Sequence, residues 1–408
     1  MNKLCVFFVN GISGGTATLS YRIGKRFKSL GYDVVYLCPM NNDAFNVRLL
    51  TEAGIEVEIL SQSKWKYFMG EKKSNYEEAI FWLYAYELFD MVDDIRCEYT
   101  TIGCKVKVHL YAVHEHCLIR GGADCSGIKL YITKVFNSLN RSYINTIYNN
   151  EELIILDHQT CKLTEQKLNL NLSRKDIILP LPYDFHTNES RKIQKKDNII
   201  STMARIDFPF KGYIIGLVRM FPHIYNCVKC DLWIIGDGKD MNVLKKEIEQ
   251  VPEPIRNHIR LFGNVEYSEA KRLVSKTKVF VGMGTALLDA ESVFVPSIGV
   301  QAYTMQCNGK GYFSENLYDL GYLHDAKHLY GISELILKTL ILKDEEYNSM
   351  VTQGYLKVKE MYGMDSFILR ASQFSNKGYS YNGFKKIGFY INRYFGMINN
   401  YLVKGRCI

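Results

Sequence analysis

The same alternation of apolar strands and amphipathic helices occurs twice in this chain, and this repetition constrains the fold more than any other feature. The first series begins at residues 4–10, a continuous apolar run typical of a strand buried on both faces. The second begins at residues 198–203 and continues to 297–300. Such alternation predicts parallel sheets with right-handed crossovers. The sequence therefore predicts an α/β protein with two Rossmann-like domains.

The length of 408 residues also favours two domains, since single cores stop growing at about 250–300 residues. A polar stretch at 188–197 reads as a solvated linker between the two series. We expect an N-terminal domain over 1–185, a C-terminal domain over 186–375 and a tail over 376–408. Ligands of open α/β sheets bind at the carboxyl ends of the strands, so two such domains facing each other would form a cleft.

Cysteine usage and hydropathy predict a cytoplasmic protein. The eleven cysteines are odd in number and scattered, which is typical of reduced thiols. No stretch approaches the roughly 20 apolar residues that span a bilayer. Cys227 and Cys230 form a lone C-x-x-C pair without a second pair at zinc-site spacing, which disfavours a metal or redox function.

A glycine-rich loop at residues 11–15 follows the first strand and opens a helix. Free backbone N–H groups at that point favour an anion, although a tight turn would need the same small residues. The spacing is not G-x-G-x-x-G, and the second strand ends at 36–38 without an acidic residue. Dinucleotide binding, and with it a nicotinamide-dependent oxidoreductase, is therefore disfavoured.

Two cations follow the first strand of the second series. Arg205 lies at the carboxyl end of that strand, and Lys211 comes just before the next helix. An arginine fork and a compact ammonium together suit a diphosphate. The alternative is a solvated loop with no ligand.

These segments resemble the group 1 family of glycosyltransferases, which has the two-Rossmann-domain GT-B architecture. The resemblance extends from Gly14 to about residue 365. Four motifs carry it in order: Ala-Arg then Lys-Gly at 204–205 and 211–212, Gly-Asp-Gly at 236–238, Leu-Phe-Gly at 261–263, and a degenerate acidic signature at 281–290.

The resemblance implies that Arg205 and Lys211 neutralise the diphosphate leaving group of a nucleotide sugar. It also implies that Asp289 contacts the donor ribose. The other candidate substrate-binding residues are Gly14, Gly15, Gly236, Gly238, Gly282, Gly284 and Thr285. Glycines there would let backbone N–H groups approach the donor closely.

The chain departs from the family pattern in the acidic signature. Val281 replaces the first glutamate, Asp289 is shorter than the second, and Phe294 replaces the usual glycine before the proline. Altered donor binding and loss of catalysis are both open explanations.

Two further segments carry polar side chains. His114 follows a predicted strand at 106–113, where the family often has a histidine beside the reacting sugar; a structural histidine or a metal ligand is the alternative. Residues 76–92 read as helix-like, with Asp90 in a solvated acidic helix end.

The tail is basic and amphipathic. From residue 366 onward it contains no Asp or Glu. Its predicted apolar face comprises Phe384, Ile387, Ile391, Phe395, Ile398 and Leu402. This pattern suits peripheral contact with the inner face of the cell membrane, or a helix that crosses back to the first domain, as GT-B folds typically end.

The leading hypothesis is a glycosyltransferase that transfers a sugar from a nucleotide-diphosphate sugar to a cell-surface polysaccharide or lipid-linked acceptor. By resemblance it would retain anomeric configuration and need neither cofactor nor catalytic metal. Capsule, exopolysaccharide and lipopolysaccharide synthesis are the expected pathways. The alternative is a catalytically weakened homologue that acts as a partner subunit or scaffold. Nucleic-acid binding is disfavoured, since the positive charge concentrates in the tail without a reader motif.

Overall fold

A computed structural model describes residues 2–9, 15–39, 44–114, 117–119, 128–185, 195–318, 320 and 329–374. The chain divides into two compact units. The first comprises Met1–Pro182 and Met364–Ile408, and the second comprises Tyr183–Gly363. The predicted tail, 376–408, lies outside the described residues, as do residues 11–14 of the predicted loop 11–15.

Parallel strands form the sheet of the first unit. They are β1 (Lys3–Phe8), β2 (Tyr32–Cys38), β3 (Glu56–Ile59), β4 (Glu78–Leu83), β5 (Lys105–Ala112) and β6 (Leu153–Ile155). Their order is β3-β2-β1-β4-β5-β6, so the chain starts in the middle of the sheet and builds outward on both sides. This is the doubly wound order that places the carboxyl ends of β1 and β4 side by side.

Helices connect these strands. They are α1 (Gly15–Ser29), α2 (Ala44–Glu52), α3 (Gln62–Lys72), α4 (Phe89–Thr101), α5 (Ile128–Asn149) and α6 (His158–Leu168). Leu19, Ile23 and Phe27 of α1 are buried on one face, as their spacing predicts. The helix stops before Gly31, whose φ of +83° suits glycine at a helix end.

The prediction of a helix over residues 76–92 is wrong. Residues 78–83 form strand β4, and α4 begins only at Phe89. Five consecutive buried residues make β4 a central strand, and a short apolar run of this kind does not distinguish strand from helix by periodicity.

The acidic segment that follows β4 is buried rather than solvated. Asp90 and Asp93 lie in the first turns of α4, and both are almost fully buried. Arg96 pairs with Asp93 and with Glu152, which are both buried as well. Buried carboxylates need such partners, because an isolated charge in an apolar interior is strongly unfavourable.

In the second unit, strands form a mixed sheet. They are β7 (Asp197–Met203), β8 (Asp231–Ile235), β9 (Ile259–Gly263), β10 (Thr277–Gly282), β11 (Ser297–Val300), β12 (Asn308–Tyr312) and β13 (Tyr330–Gly331). The order is β13-β12-β11-β10-β7-β8-β9. Strands β7 to β11 are parallel, whereas β12 and β13 add antiparallel strands that the sequence analysis did not predict.

The helices of the second unit lie between these strands and after them. They are α7 (Tyr213–Cys227), α8 (Met241–Glu249), α9 (Glu253–Arg256), α10 (Tyr267–Val274), α11 (Thr285–Glu291), α12 (Ser333–Ile341) and α13 (Asp344–Tyr362). Alternate strand residues enter two separate apolar clusters: Ile234 belongs to one, and its neighbours Trp233 and Ile235 belong to the other. Both faces of the sheet are therefore covered, as in a doubly wound fold.

The boundary between the units differs from the predicted one. The second unit begins at Tyr183 rather than 186, and the chain returns to the first unit at α14 (Met364–Ser372) rather than after 375. The Tyr183 N–H donates to the Tyr362 carbonyl at 2.7 Å, which pairs the two connecting segments within the second unit. Helix α14 belongs to the first unit because Phe367 packs between Trp82 and Tyr111, each at a centroid distance of 5.7 Å.

Within the described parts of the chain, no helix combines the length and the apolar character that crossing a membrane requires.

Candidate active site

Loops at the carboxyl ends of the neighbouring strands β7 and β8 contain four of the predicted site residues. Arg205 and Lys211 lie in the loop after β7, and Gly236 and Gly238 lie in the loop after β8. The structure therefore brings the two predicted cations and these two glycines to one edge of the sheet, where open α/β sheets bind ligands.

Backbone hydrogen bonds join the two loops. The Ile206 N–H donates to the Asp237 carbonyl at 2.9 Å. The Asp240 carboxylate accepts the Phe208 N–H at 2.7 Å. The loop that carries the two cations is thus held against the glycine loop by one main-chain hydrogen bond and by the Asp240 carboxylate.

Gly236 and Gly238 permit this contact because a side chain at either position would strike the opposite loop. A Cβ atom on Gly236 would lie 2.0 Å from the Ala204 carbonyl oxygen, and one on Gly238 would lie 2.2 Å from that of Ile206. Gly236 also has a φ of +130°, which residues with a Cβ rarely adopt.

A cavity of about 660 Å³ opens beside the joined loops. Its lining comes from the carboxyl ends of β7, β8 and β9 and from the start of α10. The lining residues are Met203, Ala204, Arg205, Ile235, Gly236, Asp237, Gly238, Asn264, Val265, Tyr267 and Ala270. The cavity is large enough for a ligand of nucleotide size.

Lys211 is a half-buried cation without an anionic partner. Its Nζ lies 4.7 Å from the centroid of the Phe210 ring, and across the described residues it has no hydrogen bond or ion pair. Burial, and secondarily the Arg205 guanidinium, lower the pKa of Lys211 to about 8. An anion beside this ammonium would stabilise its charged form.

Arg205 projects toward solvent, with 77 % of its side chain exposed, and its Nη2 is 4.0 Å from Asp207 Oδ2. Lys239 is closer to the same carboxylate, with Nζ 2.9 Å from Oδ1. The hydrogen bond from Lys239 holds the pKa of Asp207 below its ordinary value. Lys239 is thus a third cation at this edge. Lys239 is not among the residues that the sequence predicts for the site, although its position directly after Gly238 was a usable signal.

Asp289 is buried in a network of hydroxyl groups. Its Oδ1 accepts hydrogen bonds from Tyr183 at 2.7 Å and from Tyr267. Lys271 donates from Nζ to the Tyr183 hydroxyl at 3.0 Å. Burial, followed by the Asp289 charge, raises the pKa of Tyr183. The tyrosines were not predicted, because each is distant from Asp289 in sequence.

The remaining signature residues follow β10. Val281 is fully buried in the core. Gly282 is the last residue of β10, and Gly284 has a φ of +70°. The Gly284 N–H donates to the Leu320 carbonyl at 2.5 Å, so it is already occupied. Thr285 is exposed as the first residue of α11.

The predicted residues of the first unit lie at the carboxyl ends of its strands. Gly15 is the first residue of α1, which follows β1, and Gly14 lies outside the described residues. His114 is exposed just after β5, and its carbonyl accepts the Cys117 N–H at 2.9 Å. The predicted contact of His114 with the reacting sugar stays a prediction.

A second cavity, of about 440 Å³, lies at the amino ends of β7, β8 and β9, beside Asp231, His258 and Arg260. Ligands of open α/β sheets bind at the opposite edge, which favours the larger cavity as the candidate site. Cys227 and Cys230 are free thiols. Among the described residues, no cluster of three or more His, Cys, Asp or Glu side chains could hold a metal ion.

The contact between the two loops predicts different effects for two glycine substitutions. Gly236→Ala adds a backbone clash to an unfavourable φ and should lower the free energy of unfolding by about 2–5 kcal/mol. Gly263→Ala is the matched control: its φ is +66°, but no atom lies within 4 Å of the added Cβ. Its expected loss is about 1–2 kcal/mol. Urea unfolding of both variants measures the difference, and equal losses would show that the loops do not depend on this contact.

Comparisons with known proteins bear on the fold. No family model matches the sequence, and no curated protein matches it. Solved structures do match over nearly the whole chain. A glycosyltransferase from Rickettsia africae has a TM-score of 0.57 at 12% identity, covering 91% of this chain and 97% of that one.

Two further structures are similar. Anabaena Alr3699/HepE in complex with UDP has a TM-score of 0.54 at 12% identity, covering 91% of this chain and 99% of its own. An S. aureus TarM mutant in complex with fondaparinux, alpha-GlcNAc-glycerol and UDP has a TM-score of 0.53 at 10% identity, covering 92% and 99%. At such identities the likeness establishes the fold, which is the predicted GT-B fold with two Rossmann-like domains.

Proposed function

We propose that this protein is a glycosyltransferase that transfers a sugar from a nucleotide-diphosphate sugar to a glycan or lipid-linked acceptor. The observation that carries the proposal is the Lys211 ammonium. It is half-buried and unpaired within the described residues, next to Arg205, which lines the cavity at the carboxyl ends of β7 and β8.

A diphosphate would account for this arrangement. Its oxygens carry negative charge that both cations can share, and Arg205 can bond two of those oxygens through its fork of donors. Lys239 lies at the same edge, where its ammonium pairs with the Asp207 carboxylate. Because Lys211 is partly removed from water, its attraction to a phosphate is less screened than that of a surface lysine.

The same cations would act in the reaction itself. When the bond between the sugar carbon and the diphosphate breaks, the leaving nucleoside diphosphate gains negative charge. Arg205 and Lys211 would stabilise that charge, while the acceptor oxygen would form the new bond to the same sugar carbon and its proton would pass to a phosphate oxygen of the leaving group. His114 is the proposed contact for a sugar hydroxyl, and retention of configuration is the stereochemical course that the family resemblance suggests.

Further support comes from the similar structures that contain UDP, those of HepE and TarM. The signature residues Gly282, Gly284 and Thr285 stay assigned to donor binding in this proposal, as do Gly14 and Gly15 in the first unit. We also propose an acceptor in capsule, exopolysaccharide or lipopolysaccharide synthesis, with a cytoplasmic site reached through peripheral membrane contact of the tail. The basic tail motivates this last step.

A second candidate function, a partner subunit or scaffold, is favoured by Val281. This residue is 0 % exposed, so the position where the family has a glutamate offers neither a carboxylate nor access to a ligand. In that case, a partner glycosyltransferase would gain activity when this chain is added, and Arg205→Ala would leave the gain unchanged. Transfer assays of the chain alone and with its partner distinguish the two functions.

Loss of the Lys211 charge should weaken nucleoside diphosphate binding. Lys211→Met removes one charge-assisted hydrogen bond to a phosphate, and we expect the dissociation constant for UDP or GDP to rise about 10- to 100-fold. Arg205→Ala should have a similar effect. Calorimetric titration measures both.

The matched control for this titration is Lys229→Met. Lys229 belongs to the same unit but lines the cavity at the opposite edge, with Nζ 4.1 Å from the centroid of the Tyr225 ring. Its loss should leave the affinity unchanged. The proposal fails if neither UDP nor GDP binds the wild type, or if Lys211→Met binds as tightly as Lys229→Met.

The lowered pKa of Lys211 predicts a pH dependence of binding. Below a pH of about 8 the ammonium is charged and binds the diphosphate. Above it the free protein loses this proton, whereas a bound diphosphate raises the pKa and retains it. The affinity should therefore fall as the pH rises through about 8, since a terminal phosphate with a second pKa of about 6 is almost fully ionised by then. The same titration on Lys211→Met should lose this decrease; an identical pH profile in both proteins would contradict the assignment.

A further inference from the structure

Tyr267 is an exposed aromatic side chain in the wall of the candidate cavity. It is the first residue of α10, and 53 % of its surface is open to solvent. Its ring lines the cavity together with Asn264 and Val265, while Arg205 lines another part of the wall. The apolar core of the unit does not enclose this ring. Packing of the core therefore does not account for an aromatic side chain at this position.

A buried carboxylate holds the hydroxyl group of this ring. Tyr267 donates its hydrogen bond to Asp289 Oδ1, which also accepts from Tyr183. Lys271, one turn along α10, donates to the Tyr183 hydroxyl at 3.0 Å. Two tyrosine hydroxyls therefore donate to one carboxylate, Lys271 donates to one of those hydroxyls, and Tyr267 is the member of this group that lines the cavity.

This arrangement changes the role that the family resemblance gives to Asp289. Its carboxylate is 5 % exposed and is not among the residues that line the cavity. Its Oδ1 already accepts two hydroxyl donors. A ligand in the cavity would meet the Tyr267 ring, whose position the carboxylate fixes.

We propose that Tyr267 is a specificity-determining residue that packs against the nucleoside of the donor, and that Asp289 is a positioning residue that holds its hydroxyl group. This inference rests on the proposed function. The cavity wall contains the Arg205 cation and, on other elements, an exposed ring with the amide of Asn264. A nucleoside diphosphate has groups that complement both parts of the wall: its phosphates are anionic, and its base has a flat aromatic face.

Two kinds of ligand would make the same phosphate contacts but differ in whether they carry a nucleoside. UDP and GDP contain both the diphosphate and the nucleoside, whereas inorganic pyrophosphate contains the phosphates alone. Tyr267→Ala should weaken binding of the preferred nucleotide about tenfold or more, the effect of losing one base–aromatic stack. Its affinity for pyrophosphate should stay within about twofold of the wild type, which is close to an unperturbed contact.

Two conservative variants test the positioning role. Tyr267→Phe keeps the ring and removes its anchor, and Asp289→Asn removes the charge that holds it. Each should weaken nucleotide binding by less than Tyr267→Ala does. Combined in one chain, they should weaken it by less than the product of the separate effects, because both remove the same hydrogen bond. Independent effects would show that Asp289 does not act through Tyr267.

Tyr67→Ala serves as the control, because Tyr67 is an exposed tyrosine of α3 in the first unit. It should bind every probe as the wild type does. If Tyr267→Ala retains full nucleotide affinity, the inference is wrong and the proposed function stands. If it weakens nucleotide and pyrophosphate equally, the ring only supports the fold of the site, and the inference is again wrong. If the wild type binds neither UDP nor GDP, the proposed function fails and the inference fails with it.

Discussion

The contact between residues 204–206 and 236–238 is the constraint on which the rest of the candidate site depends. Carbonyl groups of one segment lie where any side chain of the other would have to stand, so only glycine at 236 and 238 allows the contact. The contact fixes the loop that follows β7, and this loop in turn holds Lys211 away from water and Arg205 at the cavity wall. Backbone packing thus determines where the charges lie.

Most of the strands of the second unit follow from the sequence, because they are apolar runs bounded by glycine or polar residues. The predicted strand at 198–203 differs from β7 by one residue at its start, and the predicted strand at 297–300 coincides with β11. The first unit shows the limit of that reasoning. The helix predicted over residues 76–92 includes the strand at 78–83, because a short, fully buried strand lacks the alternation that identifies a half-buried one.

Contacts across the sheet could not be predicted in the same way. Tyr183 and Tyr267 meet at Asp289 only because the fold brings the start of the unit, α10 and α11 together. Phe294 illustrates a related limit: its φ is +58°, a conformation that glycine adopts most easily, and its ring stacks on Tyr355 at a centroid distance of 4.4 Å. Phe294 thus has a backbone conformation that phenylalanine does not favour, and its ring packs against a residue that is distant in sequence.

The most direct test of the account is amide hydrogen exchange of the intact chain, measured without ligand and with UDP or GDP at saturation. A nucleoside diphosphate bound at the carboxyl ends of β7, β8 and β9 should slow exchange in residues 204–212, 236–240 and 264–267. The amino ends of the same strands, near Asp231 and His258, should exchange at an unchanged rate. Protection confined to those amino ends, or absent from all three loops, would contradict the central claim.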